Sequence, residues 1–270
     1  MTIDRLNKCV VLGCIMCGIC ASASADTIFF DDFNDGNAAD GMPVTWVLPF
    51  AGFSGTFDAS SGDYVLTPSD RAVVATVPDL ILDNVSIRTQ ARMLEQPATR
   101  GGVELIARGN IAAVSGYLAG LNNLGVLYIR DTAVTDPLAR AETDLRLLEE
   151  DIVMQFDAFG PSLSLWAWPA DEPMPATPLL TATSSSYPQG VIGIDYFSNE
   201  PVPPLGNAVF RYVHVADMHI PEPTSSVLAG SAVAGLLGIA RLKRHRIPPA
   251  TRSSVARPRW PDKRRPSQKP

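Results

Sequence analysis

Hydrophobic and polar residues alternate at period two along most of the chain between residues 26 and 220. The runs SGDYVLTP (61–68), VSIRTQARML (85–94), GGVELIARG (101–109), GVLYIRD (125–131), DIVMQFDAFG (151–160), SLSLWAW (162–168), GVIGIDYF (190–197) and AVFRYVHVAD (208–217) are short, rich in Val, Ile, Tyr, Phe and Trp, and bounded by Gly, Pro, Asn and Asp. Successive side chains of a strand point to opposite faces, so these runs predict β-strands. ARAETDLRLLEE (139–150) is the sole helical candidate, one to three turns long. Proline-rich breakers at 169–178 and 200–206 are each followed by another strand-like run, so they read as loops within one domain. The pattern predicts an all-β fold, one antiparallel sandwich over 26–220.

The two ends follow other rules. Residues 1–25 join a short charged segment with Arg5 and Lys8 to the apolar run CVVLGCIMCGIC and then ASASA, the form of a signal peptide cut by signal peptidase after Ala25. All four cysteines (Cys9, Cys14, Cys17, Cys20) lie in that segment, so Cys17-x-x-Cys20 is read as part of the leader and the mature protein has no cysteine. A lipobox ending at Cys14 or Cys20 is a second reading of the same residues. At the other end, TSSVLAGSAVAGLLGIA (224–240) carries no charge and precedes Arg241, Lys243, Arg244, His245 and Arg246. At about 1.5 Å per residue it spans roughly 25 Å, enough to cross a bilayer with its basic flank in the cytoplasm. A buried amphipathic helix is the alternative, against which stands the lack of a polar stripe.

Charge is partitioned as sharply. Residues 26–220 hold nine arginines, no lysine and 25 acidic residues, a net charge of −16, whereas 221–270 hold eleven bases against Glu222 and Asp262. A body of −16 repels phosphate backbones, which excludes a nucleic-acid role for it. The tail 247–270 is Pro-, Arg- and Ser-rich with few large apolar residues, a composition that predicts disorder.

Pro221-Glu222-Pro223, a short Ala/Gly/Leu helix and a basic cluster, in that order behind an N-terminal signal, resemble the PEP-CTERM sorting signal of Gram-negative bacteria. The resemblance covers 221–246. It implies recognition by an exosortase through Pro221, Glu222, Pro223, Arg241, Lys243 and Arg244. It also implies an inner-membrane-anchored precursor, cleavage near Pro-Glu-Pro, and delivery to the outer surface or the extracellular polymer matrix. The family signal usually ends soon after its basic cluster, and here 24 further residues follow.

The body is similar to the concanavalin A-like, laminin G-like jelly roll. IFFDDFNDGNAADGMPVTW (28–46), GDYVLT (62–67), the long stretch 101–132, FDAFGPSLSLWAW (156–168), YPQGVIGIDYFSN (187–199) and AVFRYVHVADMHI (208–220) follow in family order. In laminarinase-like members a structural Ca2+ is held by an acid of the first strand, a carbonyl near a glycine and an Asp of the last strand. The matching positions are Asp32, Gly62 and Asp217. Asp31, Asp32, Asn34, Asp35, Asn37 and Asp40 also crowd hard oxygens into ten residues, which suits Ca2+ or equally a solvated acidic turn. The family's catalytic Glu-x-Asp-x-x-Glu is missing, as are His-x-x-x-His and Gly-x-Ser-x-Gly. The expectation is therefore a non-catalytic protein, with a polysaccharide-active enzyme as the alternative.

A binding surface is legible by parity. In SLSLWAW, Ser164, Trp166 and Trp168 share one face. In AVFRYVHVAD, Phe210, Tyr212, His214 and Ala216 are expected opposite Val209, Arg211, Val213 and Val215. Trp166, Trp168, Tyr212 and His214 are thus candidates to line a concave sheet, stacking on sugar rings of an extracellular polysaccharide. The competing reading packs them into the core under the 169–178 loop.

Overall fold

The computed structural model describes residues 26–38, 46, 53–113, 115–199 and 201–218; among them it forms fourteen β-strands and no helix. In chain order these are β1 (Asp26–Asp31), β2 (Gly55–Asp58), β3 (Tyr64–Pro68), β4 (Ala72–Leu82), β5 (Val85–Glu95), β6 (Gly101–Asn110), β7 (Ser115–Asn122), β8 (Val126–Asp131), β9 (Ala139–Glu142), β10 (Ile152–Phe159), β11 (Ser162–Pro169), β12 (Leu180–Thr183), β13 (Gly190–Ser198) and β14 (Asn207–Asp217). They build two antiparallel sheets. The larger runs β12-β11-β10-β5-β14-β3-β2, with β1 also on β14, and the smaller runs β4-β13-β6-β7-β8-β9. The signal segment, the Pro221-Glu222-Pro223 motif with Arg241, Lys243 and Arg244, the 224–240 span and the basic tail all lie outside the described residues. No helix among the described residues is long and apolar enough to cross a membrane.

Strand β5 shows why the sheets form. Val85, Ile87, Thr89, Ala91 and Met93 are buried between the sheets while Ser86, Arg88, Gln90 and Arg92 alternate outward. Its partners repeat the parity, and Ile87, Phe156, Leu165, Phe210, Val213 and Val215 meet Leu105, Leu121, Leu127, Ile192 and Tyr196 of the second sheet in one core. At one end of that core Arg108 is 3% exposed, donating to the carbonyls of Asp83 (2.6 Å), Gly160 (2.8 Å) and Tyr187 (3.2 Å). Its guanidinium thereby ties the β4–β5 and β10–β11 turns together, and burial holds its pKa below the usual arginine value.

Three local expectations change. The helix expected at 139–150 is instead β9 followed by one hydrogen-bonded turn, in which the Glu149 and Glu150 amides donate to Arg146 O. Ala, Arg, Leu and Glu are good helix formers, but pairing with β8 and full burial of Leu147 override that local preference. Strand β4 is additional, and its Pro78 is tolerated because β4 is an edge strand paired only with β13. In β14 a bulge between Phe210 and Tyr212 breaks the parity expected there. Phe210, Val213 and Val215 all reach the core, and Tyr212 and His214 lie outside it.

Candidate functional site

The expected aromatic residues do share a surface, the face of the larger sheet turned away from the core. Strand register sets Trp166 opposite Gln155, Gln155 opposite Arg88, Arg88 opposite His214 and His214 opposite Phe30. A neighbouring row reads Trp168, Val153, Gln90, Tyr212. At about 4.8 Å between strands, Trp166 and His214 stand roughly 14 Å apart, so the four residues line a band and do not form a cluster. Trp166, Tyr212 and His214 are half-buried and Phe30 is 44% exposed. Trp168 differs: it is 7% exposed, with the Arg88 guanidinium 5.8 Å from its ring centroid. The loop after β11 reaches over this corner, where Met174 Sδ lies 3.6 Å from Arg88. Trp168 therefore supports Arg88 from below and leaves the exposed aromatic surface to its neighbours.

Polar groups that sequence reasoning passed over bind this band into a network. Arg88 donates through Nε (2.8 Å) and Nη2 to Gln155 Oε1. The Gln155 amide donates to Asp157 Oδ1 (3.0 Å), which also accepts Ser86 Oγ (2.7 Å). Burial pushes the Asp157 carboxyl up despite those two donors. His214 is held below its ordinary value, first by burial and then by the Arg88 charge, and its Nε2 meets Thr27 Oγ1 at 2.8 Å. Farther along the face, Arg211 bridges Asp151 (3.0 Å) and Asp63 (2.8 Å), and Gln90 donates to Asp151. These are the ingredients of hydroxyl recognition: fixed planar donors and acceptors beside aromatic faces. The only signal for Arg88 and Gln155 in the sequence was the outward parity of VSIRTQARML and DIVMQFDAFG.

Asp32, Gly62 and Asp217 are not brought together. First and last strands do pair, as expected, but antiparallel register sets Asp217 opposite Asp26 and Asp31 opposite Val213. Asp32 lies six residues from Asp26, about 20 Å along the strand. Gly62 does approach the acidic turn, its Cβ position 4.0 Å from Asn34 Cα. The turn uses its own carboxylates: Asp32 Oδ1 accepts the Asn34 amide and Asp35 Oδ1 that of Asn37. Asp31, buried, accepts Trp46 Nε1 (2.9 Å) and the Phe33 amide (3.0 Å). These three residues do not fit a Ca2+ ion as one set. Among the described residues no group of three or more His, Cys, Asp or Glu side chains is placed to hold a metal.

A second polar feature, unforeseen, lies on the outward face of the smaller sheet. Asp195 of β13 sits opposite Glu104 of β6, and both are buried, 6% and 4% exposed. Tyr128 donates to Glu104 Oε1 at 2.5 Å. Burial raises both carboxyls, and Asp195 is pushed well above the ordinary range, helped by the Glu104 charge and their mutual hydrogen bond. Asp195 Oδ1 has no N–H or O–H donor, so a proton held on Asp195 and shared with Glu104 removes the cost of an uncompensated buried charge.

No protein-family model matches the chain, and neither does any curated protein. Among solved structures, the exoplasmic/lumenal domain of VIP36 in its Ca2+/Man2-bound form is 12% identical, aligned over 74% of this chain and 91% of that one with a TM-score of 0.54. A protein of unknown function with a galectin-like fold from Bacillus subtilis is 13% identical over 73% and 97%, with a TM-score of 0.52. The likeness is one of fold. Both matches agree with two stacked antiparallel sheets of the kind described above.

Proposed function

We propose that this chain is a secreted, non-catalytic, carbohydrate-binding β-sandwich that engages sugar rings on the outward face of its larger sheet. The observation that carries the reading is the register row Trp166, Gln155, Arg88, His214, which sets an aromatic face beside a fixed guanidinium–amide pair. Arg88 and Gln155 are already oriented by one another, so little side-chain entropy is lost when hydroxyls replace water. Support comes also from the fold shared with a domain crystallised in a Man2-bound form. Export through the N-terminal segment and sorting by an exosortase through Pro221-Glu222-Pro223 complete the proposal, with the outer surface or extracellular polysaccharide matrix as destination.

A glycan array probed with the full chain, followed by calorimetry on the strongest hit, tests the binding reading. Trp166→Ala is expected to weaken binding about tenfold, the loss of one stacking face at roughly 1.4 kcal/mol. Equal binding by wild type and Trp166→Ala, or no bound glycan at all, overturns it. Sorting is tested separately: Glu222→Ala is expected to leave unprocessed precursor in the inner membrane. A polysaccharide-active enzyme is the alternative; Glu104 and Asp195 are the acids that register sets side by side, but their mutual hydrogen bond holds the carboxyls closer than the roughly 5 Å of retaining glycosidases. Release of reducing ends by wild type and not by Glu104→Gln would favour it.

A further inference from the structure

We infer that the outward face of the smaller sheet carries a second binding cleft, built for a carboxylated sugar such as a uronate unit of an acidic glycan. The cleft holds about 310 Å3 and is lined by Arg100, Arg130 and Arg140 together with Tyr128, Phe197 and Asn199. Volume alone places it at the small end of ligand sites, which run from roughly 300 to 1,000 Å3. Its charge is what singles it out. The domain has nine arginines against 25 acids, yet three of those arginines converge here and, among the described residues, no acidic side chain lines the cleft.

The three are also only weakly committed. Arg140 has an exposed ion pair with Glu142 at 3.8 Å, Arg130 feels the buried Glu104 at longer range, and Arg100 and Arg130 make no direct ion pair among the described residues. This contrasts with Arg211, held by two carboxylates, and with Arg108, whose donors are spent on three carbonyls. Three guanidinium groups around one hollow repel one another, and an anion that enters removes that repulsion. A planar carboxylate matches the guanidinium fork through two parallel hydrogen bonds. The Tyr128 and Phe197 rings, 6.4 Å apart and edge to face, supply an apolar wall for the C–H face of a sugar ring, and Asn199 supplies a neutral group for a hydroxyl.

The ground beneath the cleft fits this assignment. Tyr128 directs its hydroxyl away to Glu104, and burial raises both Glu104 and Asp195, which disfavours a second negative charge there. The surrounding body is strongly acidic, so a short anionic unit that enters the cleft is favoured over a long polyanion laid across the surface. The site is on the opposite sheet from the aromatic band and does not depend on it.

The test is titration of the full chain with a short oligogalacturonide, its fully methyl-esterified form, a sulfated oligosaccharide of the same length, and inorganic phosphate. The expected result is binding of the free-acid oligomer at least tenfold tighter than of the methyl ester, weakening as salt is raised. Arg100→Gln and Arg130→Gln should each lose about tenfold, with Arg130→Lys between them and wild type because it keeps the charge and loses the fork. Unchanged melting temperatures of the variants separate lost contacts from lost folding, and Arg140→Gln on an exposed edge strand provides a second such variant. Trp166→Ala should bind the free acid as wild type does, so failure here and failure of the aromatic band are told apart. Equal binding of acid and ester, no binding of either, or equal binding of phosphate or the sulfated sugar overturns the assignment.

Discussion

Replacing Asp195 by asparagine isolates the shared proton on the smaller sheet. In wild type both carboxyls titrate above the ordinary range in the folded state, so over the window from the unfolded value near 4 up to the folded values the native protein holds protons that the unfolded chain has released. The sign follows directly: that stability is fully present below the unfolded pKa and is lost as pH rises through the folded one. Each extra proton gives a slope of about 1.4 kcal/mol per pH unit. For a domain of this size roughly 2–4 °C of melting temperature accompanies each kcal/mol, so the slope is about 3–6 °C per pH unit. Asparagine keeps a donor toward Glu104 and has no proton to lose, and Glu104 then accepts from two sides, from Asn at 195 and from Tyr128. Melts of the full chain followed by circular dichroism from about pH 5 to about pH 9 should show the wild-type midpoint falling away from that of Asp195→Asn as pH rises. Asp157 acts with the same sign as the pair and His214, held low, with the opposite sign. Both are present in wild type and variant, so the difference between the two curves belongs to Glu104 and Asp195. Parallel curves across the whole range would refute the shared proton.

Three further perturbations follow from geometry already described. Arg108→Met should destabilise by about 1–3 kcal/mol, because three part-buried carbonyls lose a charged donor, and chemical denaturation midpoints read it directly. Gly120→Ala places a methyl against Tyr128 Oη and 2.9 Å from Glu104 Cγ, an overpacking expected to cost about 1–3 kcal/mol and to disturb the pH dependence of the acid pair as well. Asp31→Asn turns an acceptor toward Trp46 Nε1 or the Phe33 amide into a donor, and a loss of roughly 1–3 kcal/mol with altered tryptophan fluorescence is expected.

Parity explains most of what was legible in the chain. Alternation through VSIRTQARML, DIVMQFDAFG and SLSLWAW set strand identity and inward faces together, because one buried face per strand is enough to specify both. The same parity could have ranked the two adjacent acids of FFDDF. Phe29 and Phe33 are fully buried, so Asp31 between them faces in and Asp32 faces out. Parity fails wherever an extra residue enters a strand. The bulge beside Arg211 shows this, since it carries Phe210 and Val213 to the same side. It also fails where a partner strand overrides local preference, as β8 does for Ala139–Glu142.

Register between distant strands was out of reach, and it governs both sites and the missed metal set. Nothing local to GVELIAR or GVIGIDY announces that Glu104 will face Asp195, because the pairing exists only once β6 and β13 lie side by side with a particular offset. The calcium set fails for a reason available in advance. Antiparallel neighbours place the start of one strand beside the end of the other, so with β1 beside β14 the residue facing Asp217 must come from the beginning of β1. Asp26 occupies that position, and Asp32, one residue past the far end of β1, could have met Asp217 only if the two strands ran parallel. Pairing of the chain's first and last strands thus constrains Asp32 more tightly than the density of acidic residues around it, and it assigns the DDFNDGN segment to building a turn.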